Sequence, residues 1–245
     1  MKKVLITGAN KSIGFETARQ LLQKGYYIYL GSRNFQNGQK AVEKLKAEGL
    51  NEVEAIQLDV SDQESVNAAR KEIGRKTDVL DVLINNAGIS GGLPQTATET
   101  AVSIFKNVFD INLFGVVRVT QAFIDLLSNS PQPCIVNVSS SMASLTLNSD
   151  PSWLYYNHKG AAYLPSKTAL NMYTVNLAYE FKGTPFKINA VDPGFIATDF
   201  NDHRGTGTVE DAGKRIVKYA VLDADGPTGK FISEETNSET GEIPW

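Results

Sequence analysis

The chain has 245 residues, 42% of them hydrophobic and 21% charged, with a formal net charge of −3. This length fits one α/β domain, and the acidic balance argues against the basic surface of a nucleic-acid-binding protein. No apolar run in the sequence approaches the roughly 20 residues needed to cross a membrane, so we expect no membrane partner. One cysteine excludes an internal disulfide, and two histidines make a metal site unexpected. We therefore expect a cytoplasmic protein.

Short β-branched runs alternate along the chain with longer helical patterns, which is typical of a parallel sheet with crossover helices. The predicted strands are Lys3–Thr7, Tyr26–Leu30, Val53–Leu58, Val79–Asn85, Cys134–Ser139, Phe186–Val191 and Lys230–Ile232. The predicted helices are Ile13–Lys24, Asp62–Ile73, Ala97–Ser128, Ser166–Lys182 and Val209–Leu222. Most strands are continuous apolar runs, as expected when helices cover both faces. We predict an α/β fold, a doubly wound parallel sheet of the Rossmann type with about seven strands in a single domain.

A glycine-rich turn, Thr7-Gly8-Ala9-Asn10-Lys11-Ser12-Ile13-Gly14, joins the first strand to the first helix. At such a turn, backbone N–H groups and the helix N-terminus can hold a pyrophosphate. Glycines also serve ordinary tight turns, so the motif alone is ambiguous. The segment Asn85-Asn86-Ala87-Gly88 follows the fourth predicted strand at the same edge of the sheet, which favours a dinucleotide site.

Two Tyr-x3-Lys pairs lie close together, Tyr155 with Lys159 and Tyr163 with Lys167. Residues four apart share a face only on a helix. Gly160 directly after the first pair weakens a helix there, whereas the residues after Ser166 have helical spacing without Gly or Pro. The pattern therefore favours the second pair.

These motifs together resemble the single-domain, carbonyl-reductase-like branch of the short-chain dehydrogenase/reductase family. The residues that carry the resemblance, in the family's order, are Thr7, Gly8, Ser12, Gly14, Asn85–Gly88, Asn112, Ser140, Tyr163, Lys167, Pro193 and Gly194. One position departs from the family pattern, because glycine is usual where Ser12 stands. A side chain there would crowd the cofactor or add a hydroxyl contact to it.

The resemblance implies an NADP(H) site, whose members are Gly8, Asn10, Lys11, Ser12, Ile13, Gly14, Arg33, Asp59, Val60, Asn86, Ala87, Gly88, Tyr163, Lys167, Pro193, Gly194, Ile196 and Thr198. The preference for NADP(H) rests on charge. The second strand is followed by Arg33 and carries no acid for a ribose 2′-OH. A guanidinium suits a 2′-phosphate, and Lys11 would add a second cation, although either could be a solvated surface charge. By the same resemblance, Asp59 would bond the adenine amino group and Val60 would pack on the ring.

The resemblance also implies the catalytic roles of Tyr163, Lys167, Ser140 and Asn112. A free tyrosine has a pKa near 10, and a neighbouring ammonium should lower that pKa, so Tyr163 would act as general acid beside Lys167. Lys167 would also hold the nicotinamide ribose, with Ile196 and Thr198 at the nicotinamide. Ser140 would donate to the developing oxyanion, with Ser139 as the rival. Asn112 would bend a helix and hold a water.

The segment 145–162, between Ser140 and Tyr163, is longer than is usual in the family. Its side chains either line the pocket or simply pack; the candidates are Trp153, Tyr155, Tyr156 and His158, together with Ile89, Ser90, Met142 and Phe195. We expect a small ketone or aldehyde as substrate. The alternatives are a ketoacyl-thioester reductase of the same family and a non-catalytic NADP(H)-sensing regulator. A homo-oligomer, dimer or tetramer, would be usual for the family.

Overall fold

The computed structural model describes residues 1–92 and 94–245. The strands are β1 (Lys3–Ile6), β2 (Tyr27–Ser32), β3 (Val53–Gln57), β4 (Val82–Asn85), β5 (Cys134–Val138), β6 (Lys187–Val191) and β7 (Phe231–Ile232). The helices are α1 (Ser12–Gln23), α2 (Phe35–Ala47), α3 (Gln63–Gly74), α4 (Val102–Phe109), α5 (Gly115–Ser128), α6 (Leu145–Asn148), α7 (Tyr163–Glu180) and α8 (Val209–Ala220). A π-helical turn, Asp110–Phe114, joins α4 directly to α5.

All seven strands form one parallel sheet in the order β3-β2-β1-β4-β5-β6-β7. This confirms the predicted fold class. The strand order reverses between β1 and β4, where Val4 pairs with both Ile28 of β2 and Val82 of β4. Loops that leave the carboxyl ends of neighbouring strands diverge at such a point and open a crevice for a ligand.

Two apolar layers cover the sheet because successive side chains of a strand point to opposite faces. Val4 and Ile6 of β1 belong to the layer that contains α1 and α8. Leu5 belongs to the other layer, with Phe123 of α5. Each such side chain is fully buried and contributes about 1.5–3 kcal/mol to folding. Burial on both faces explains why the strands are continuous apolar runs in the sequence.

Helix α2 is the one long element that the residue pattern did not yield. It begins after Asn34, whose side chain accepts a hydrogen bond from Asn37 N at 2.9 Å, and it buries Ala41 and Leu45. The apolar spacing was present, but Gly38 in the second turn weakens a helical pattern. In the structure a Cβ at Gly38 would lie 3.1 Å from Ser32 Cβ, so the glycine lets α2 approach the sheet.

The predicted helix over 97–128 begins five residues late, at Val102, and contains the π-turn. By length and composition alone, the continuous stretch Val102–Ser128 would suffice to cross a membrane. In this fold its apolar side chains Val119, Phe123 and Leu127 are fully buried in the layer against the sheet.

Candidate active site

The glycine turn after β1 and the segment after β4 are bound to each other. Asn86 Nδ2 donates to Thr7 O at 2.9 Å and to Gly8 O at 3.1 Å. Thr7 Oγ1 in turn accepts from the backbone N–H groups of Asn86 and Ala87, each at 3.0 Å. Gly8 has φ +64°, and a Cβ there would lie 3.0 Å from Ala87 Cα. The two motifs that the sequence shows far apart therefore form one rigid surface at the crevice.

The N-terminus of α1 is suited to an anion. In the part of the chain that the structure describes, no side chain caps α1 and no acid stands in its first turn. Helices α2, α3 and α8, in contrast, are capped by the side chains of Asn34, Asp62 and Thr208. The backbone N–H groups and the positive end of the helix dipole are thus available to a phosphate. These residues fit the pyrophosphate of a dinucleotide.

Ser12 explains why this position favours glycine. Its φ is +53°, in the left-handed region that L side chains rarely adopt. The departure from the family pattern therefore has a cost in the backbone, which the sequence alone could not reveal. Asn10, Ile13 and Gly14 lie in the same turn, and a Cβ at Gly14 would stand 2.6 Å from Asn86 Nδ2.

Replacing Ser12 by glycine should raise the free energy of unfolding by about 0.5–1 kcal/mol, because the left-handed cost of a side chain exceeds the extra entropy of glycine. Urea unfolding measures the gain. The matched control is Ser12→Ala, which keeps a Cβ and should give no such gain. Equal stabilities of S12G and S12A would contradict the backbone explanation.

The two cations expected at a 2′-phosphate differ in their surroundings. Arg33, just after β2, is exposed and makes no hydrogen bond or ion pair with any residue that the structure describes. Lys11 Nζ lies 2.8 Å from Asp199 Oδ2, and both side chains are exposed. The ammonium expected as a second phosphate cation is thus paired with a carboxylate across the crevice.

Asp59 and Val60 follow β3, at the same edge of the sheet. Asp59 Oδ1 accepts from Ser61 N at 3.0 Å and from Ser61 Oγ at 2.6 Å. Val60 is buried, and a Cβ at Gly115 would lie 2.8 Å from Val60 Cγ2. Val60 therefore packs on the start of α5. Its contact with an adenine ring stays a prediction.

Tyr163, Ser140 and Lys167 come together at the ends of β5 and α7. The Ser140 side chain lies near the Tyr163 hydroxyl and lowers the pKa of that tyrosine. Lys167 follows Tyr163 by one helical turn on α7, and its Nζ donates to Val138 O at 2.7 Å. Ser139, the rival of Ser140, is buried and donates to Asn171 Oδ1 at 2.6 Å. The structure thus turns Ser140, and not Ser139, toward the tyrosine.

The pKa of Tyr163 moves opposite to the expectation from its sequence. Burial raises it well above its usual range, the charge of Asp192 raises it further, and the Ser140 hydroxyl lowers it in part. Burial also lowers the pKa of Lys167 to about 8. The lysine contacts a backbone carbonyl, and burial dominates the titration of both groups. Tyr163 therefore keeps its proton at neutral pH, as a proton donor must.

Asn112 stands in the π-turn beside these groups. Its side chain is fully buried and bonds both the N–H and the C=O of Ile89, at 2.8 and 2.9 Å. A third contact joins Asn112 Nδ2 to Ser166 Oγ at 3.0 Å. A Cβ at Gly88 would lie 3.3 Å from Asn112 Oδ1 and 3.5 Å from Lys167 Nζ, so Gly88 keeps this corner open.

The turn after β6 closes the far side of the crevice. Gly194 has φ +94°, and Pro193 O accepts from Arg215 Nη1 at 2.6 Å. Ile196 is 3% exposed, and its side chain lies against Gly207, which leaves little of it for a nicotinamide. Thr198 Oγ1 accepts from Phe200 N at 3.3 Å and begins a short 3₁₀ turn.

Two residues near Tyr163 were absent from the sequence-based set. Gln95 Oε1 accepts from Ala162 N and Tyr163 N at 3.0 and 3.1 Å, and so caps α7 at the tyrosine itself. The Phe200 ring packs edge-on against Tyr163, with centroids 5.3 Å apart. No pattern marked Gln95, because a cap from a distant loop leaves no local signal.

The segment 145–162 places an aromatic cluster against Phe195, in the turn after β6. Tyr155 packs edge-on against Trp153 and Phe195, with centroid distances of 5.5 and 6.0 Å. The partner lysine of the other Tyr-x3-Lys pair, Lys159, instead bonds Asn148 O at 2.9 Å. Tyr155 and Lys159 precede α7, so they do not share a helix face.

The glycine turn, the Tyr163 cluster and the sheet order can be compared with known proteins. A family model described as short chain dehydrogenase matches residues 2–208. The chain belongs to the short-chain dehydrogenase/reductase family. This confirms the resemblance inferred from the motifs, and it makes the chain an NAD(P)-binding oxidoreductase of the carbonyl-reductase type.

Several members of the short-chain dehydrogenase/reductase family are similar over nearly the whole chain. The (+)-neomenthol dehydrogenase of Capsicum annuum is 32% identical, over 93% of this chain and 94% of that protein. The structure of salutaridine reductase from Papaver somniferum superimposes with a TM-score of 0.82 at 30% identity, covering 94% of this chain and 99% of the other. ElxO with NADP bound gives a TM-score of 0.81 at 30% identity, covering 94% and 95%.

Proposed function

We propose that this chain reduces a ketone or aldehyde to the alcohol with NADPH, and that Tyr163 is the proton donor. The observation that carries the proposal is the cluster in which Ser140 stands near the Tyr163 hydroxyl, one helical turn from Lys167. A sensor that only binds the dinucleotide needs no such proton donor. The relatives named as dehydrogenase and reductase support the same reaction class.

In the proposed reaction, the hydride would come from the cofactor and the proton from a side chain. NADPH, when bound, would supply the hydride for the carbonyl carbon. Tyr163 gives its phenolic proton to the carbonyl oxygen, so that the C=O π bond is converted to C–H and O–H bonds. The Ser140 hydroxyl donates a hydrogen bond to that oxygen as negative charge develops. The Lys167 ammonium offsets the phenolate charge left on Tyr163, and Asn112 holds the loop of Ile89 beside it.

The preference for NADPH over NADH rests on Arg33. Its guanidinium is exposed beside the end of β2, where an NAD site would place an acid. A planar guanidinium binds a phosphate through two parallel hydrogen bonds. The similarity to a structure that contains NADP supports this preference.

Replacing Arg33 by alanine should lower the affinity for NADPH by about 10-fold or more, because only NADPH carries the 2′-phosphate. The affinity for NADH should stay within about twofold of the wild-type value. Fluorescence titration with each dinucleotide measures both affinities. Arg75→Ala, at the exposed C-terminus of α3, removes an equal charge far from the crevice and is the matched control. Equal losses for NADPH and NADH in R33A would refute the phosphate contact.

A panel of carbonyl compounds tests the function itself, with the loss of NADPH absorbance as the readout. We expect turnover of cyclic or aromatic ketones and aldehydes, because Tyr155 packs with Trp153 and with Phe195, which follows the turn at Gly194. Turnover of acyl thioesters alone would replace this substrate class with the ketoacyl one. NADPH binding without turnover of any carbonyl would support a sensor.

A further inference from the structure

Asp192 is a buried carboxylate between β6 and the Pro193-Gly194 turn. It is 3% exposed. Asp192 Oδ1 accepts from Gly194 N at 3.1 Å, and Oδ2 accepts from Ser233 Oγ at 2.6 Å. Ser233 directly follows β7, so one carboxylate joins the loops that leave two neighbouring strands.

A third loop lies beside the same carboxylate. Ser139 N donates to Val191 O at 2.8 Å, which brings the end of β5 beside the residue before Asp192. Ser141 lies close enough to lower the pKa of Asp192. Ser141 directly follows Ser140 at the end of β5. The carboxylate therefore joins the loops after β6 and β7, and the loop after β5 lies beside them.

The charge of Asp192 also reaches the groups around it. It raises the pKa of Tyr163 on α7, second to burial, and adds to the rise at Tyr155 and Glu235. The cation on this side is Arg215 of α8, which bonds Pro193 O and lowers the pKa of Glu235. Burial raises the pKa of Asp192 itself, against the donors that lower it.

We propose that Asp192 is a positioning residue for the reduction proposed above, fixing the turn at Gly194 to Ser233 beside the loop of Ser140. This role rests on the proposed function, because it concerns the same proton transfer. Its negative charge opposes ionisation of the Tyr163 phenol, so removing the charge makes the phenolate easier to form.

The test is Asp192→Asn, which keeps the shape and removes the charge. An amide oxygen still accepts from Gly194 N, and the amide nitrogen can donate to Ser233 Oγ. We expect kcat for reduction to fall about tenfold through looser positioning. For oxidation of the product alcohol, which needs the phenolate, the acidic limb of the pH profile should move to lower pH.

The matched control is Asp81→Asn at the opposite edge of the sheet. Asp81 is also buried, and it accepts from Ser130 Oγ at 2.7 Å and from Lys3 N at 2.8 Å. It should lose unfolding stability without any shift of the pH profile. If D192N behaves like D81N, with an unmoved acidic limb, Asp192 is only structural and the proposal is overturned.

A substrate-free readout separates this proposal from the proposed function. The ionisation of Tyr163 is followed by its near-ultraviolet phenolate absorbance, after the absorbance of the matching Y163F protein is subtracted. In D192N this titration should move to lower pH. An unmoved titration overturns the role of Asp192, whereas a wild type inactive on every carbonyl overturns only the function. Should D192N fail to fold, Ser233→Ala removes one donor from Asp192 and should lower kcat with the NADPH affinity unchanged; unaltered kinetics would again overturn the proposal.

Discussion

Tyr163→Phe should lower kcat for carbonyl reduction by about 10²–10⁴-fold, because the phenolic proton has no substitute at the carbonyl oxygen. NADPH affinity should stay within about twofold, because the ring and its packing on Phe200 are retained. Steady-state kinetics with the best carbonyl of the panel gives kcat, and fluorescence titration gives the affinity.

Tyr155→Phe is the matched control for this change. It removes a phenolic hydroxyl from the neighbouring tyrosine, whose pKa is also raised chiefly by burial, while keeping the contact of its ring with Phe195. It should keep at least about half of the wild-type kcat. A Y163F enzyme that retains most of its turnover would remove Tyr163 as the acid.

Reductase activity should fall as the pH rises through about 8, because Lys167 loses its proton there. Burial favours the neutral amine and lowers the pKa of Lys167, so the ammonium is present below that pH and lost above it. Lys167→Met, which keeps the volume and removes the charge, should lower kcat/KM by about 10²-fold at pH values below the limb.

Lys167→Arg separates charge from shape. A guanidinium stays protonated throughout the accessible range, so the variant should lose the alkaline limb even if its activity is lower. The measurement is kcat/KM at saturating NADPH across the pH range. An alkaline limb that persists unchanged in K167R would assign that titration to another group.

The sheet could be predicted from the sequence because strands buried on both faces need continuous apolar side chains, as in Val4-Leu5-Ile6. The choice of Tyr163 over Tyr155 could also be predicted, because the tyrosine and lysine must share a helix face. Gly160, directly after Lys159, weakens a helix at the Tyr155 pair. Helix α2 was missed because Gly38 weakens its pattern, although that glycine serves close packing on Ser32.

The electrostatics of the site could not be read in the same way. A lysine four residues after a tyrosine suggests that the pKa of the tyrosine falls, yet the pKa of Tyr163 rises. Burial and the distant Asp192 decide the sign, and both depend on tertiary structure. Gln95 and Ser233 belong to the same class, because each acts across more than 40 residues of chain on groups that local patterns do not connect. The catalytic roles themselves stay predictions.

The π-turn at Asp110–Phe114 lets one continuous helix bury different faces before and after the turn. An extra residue in that turn rotates everything before it by about 100° relative to a regular α-helix. The first eight residues therefore bury only Val108, while the fourteen that follow bury a full stripe that includes Phe123. Removing a single residue from the π-turn would restore a regular α-helix. Either Asn112 or the apolar stripe of α5 would then lose its present orientation. The helix Val102–Ser128 should therefore tolerate substitutions far better than the insertion or deletion of a residue.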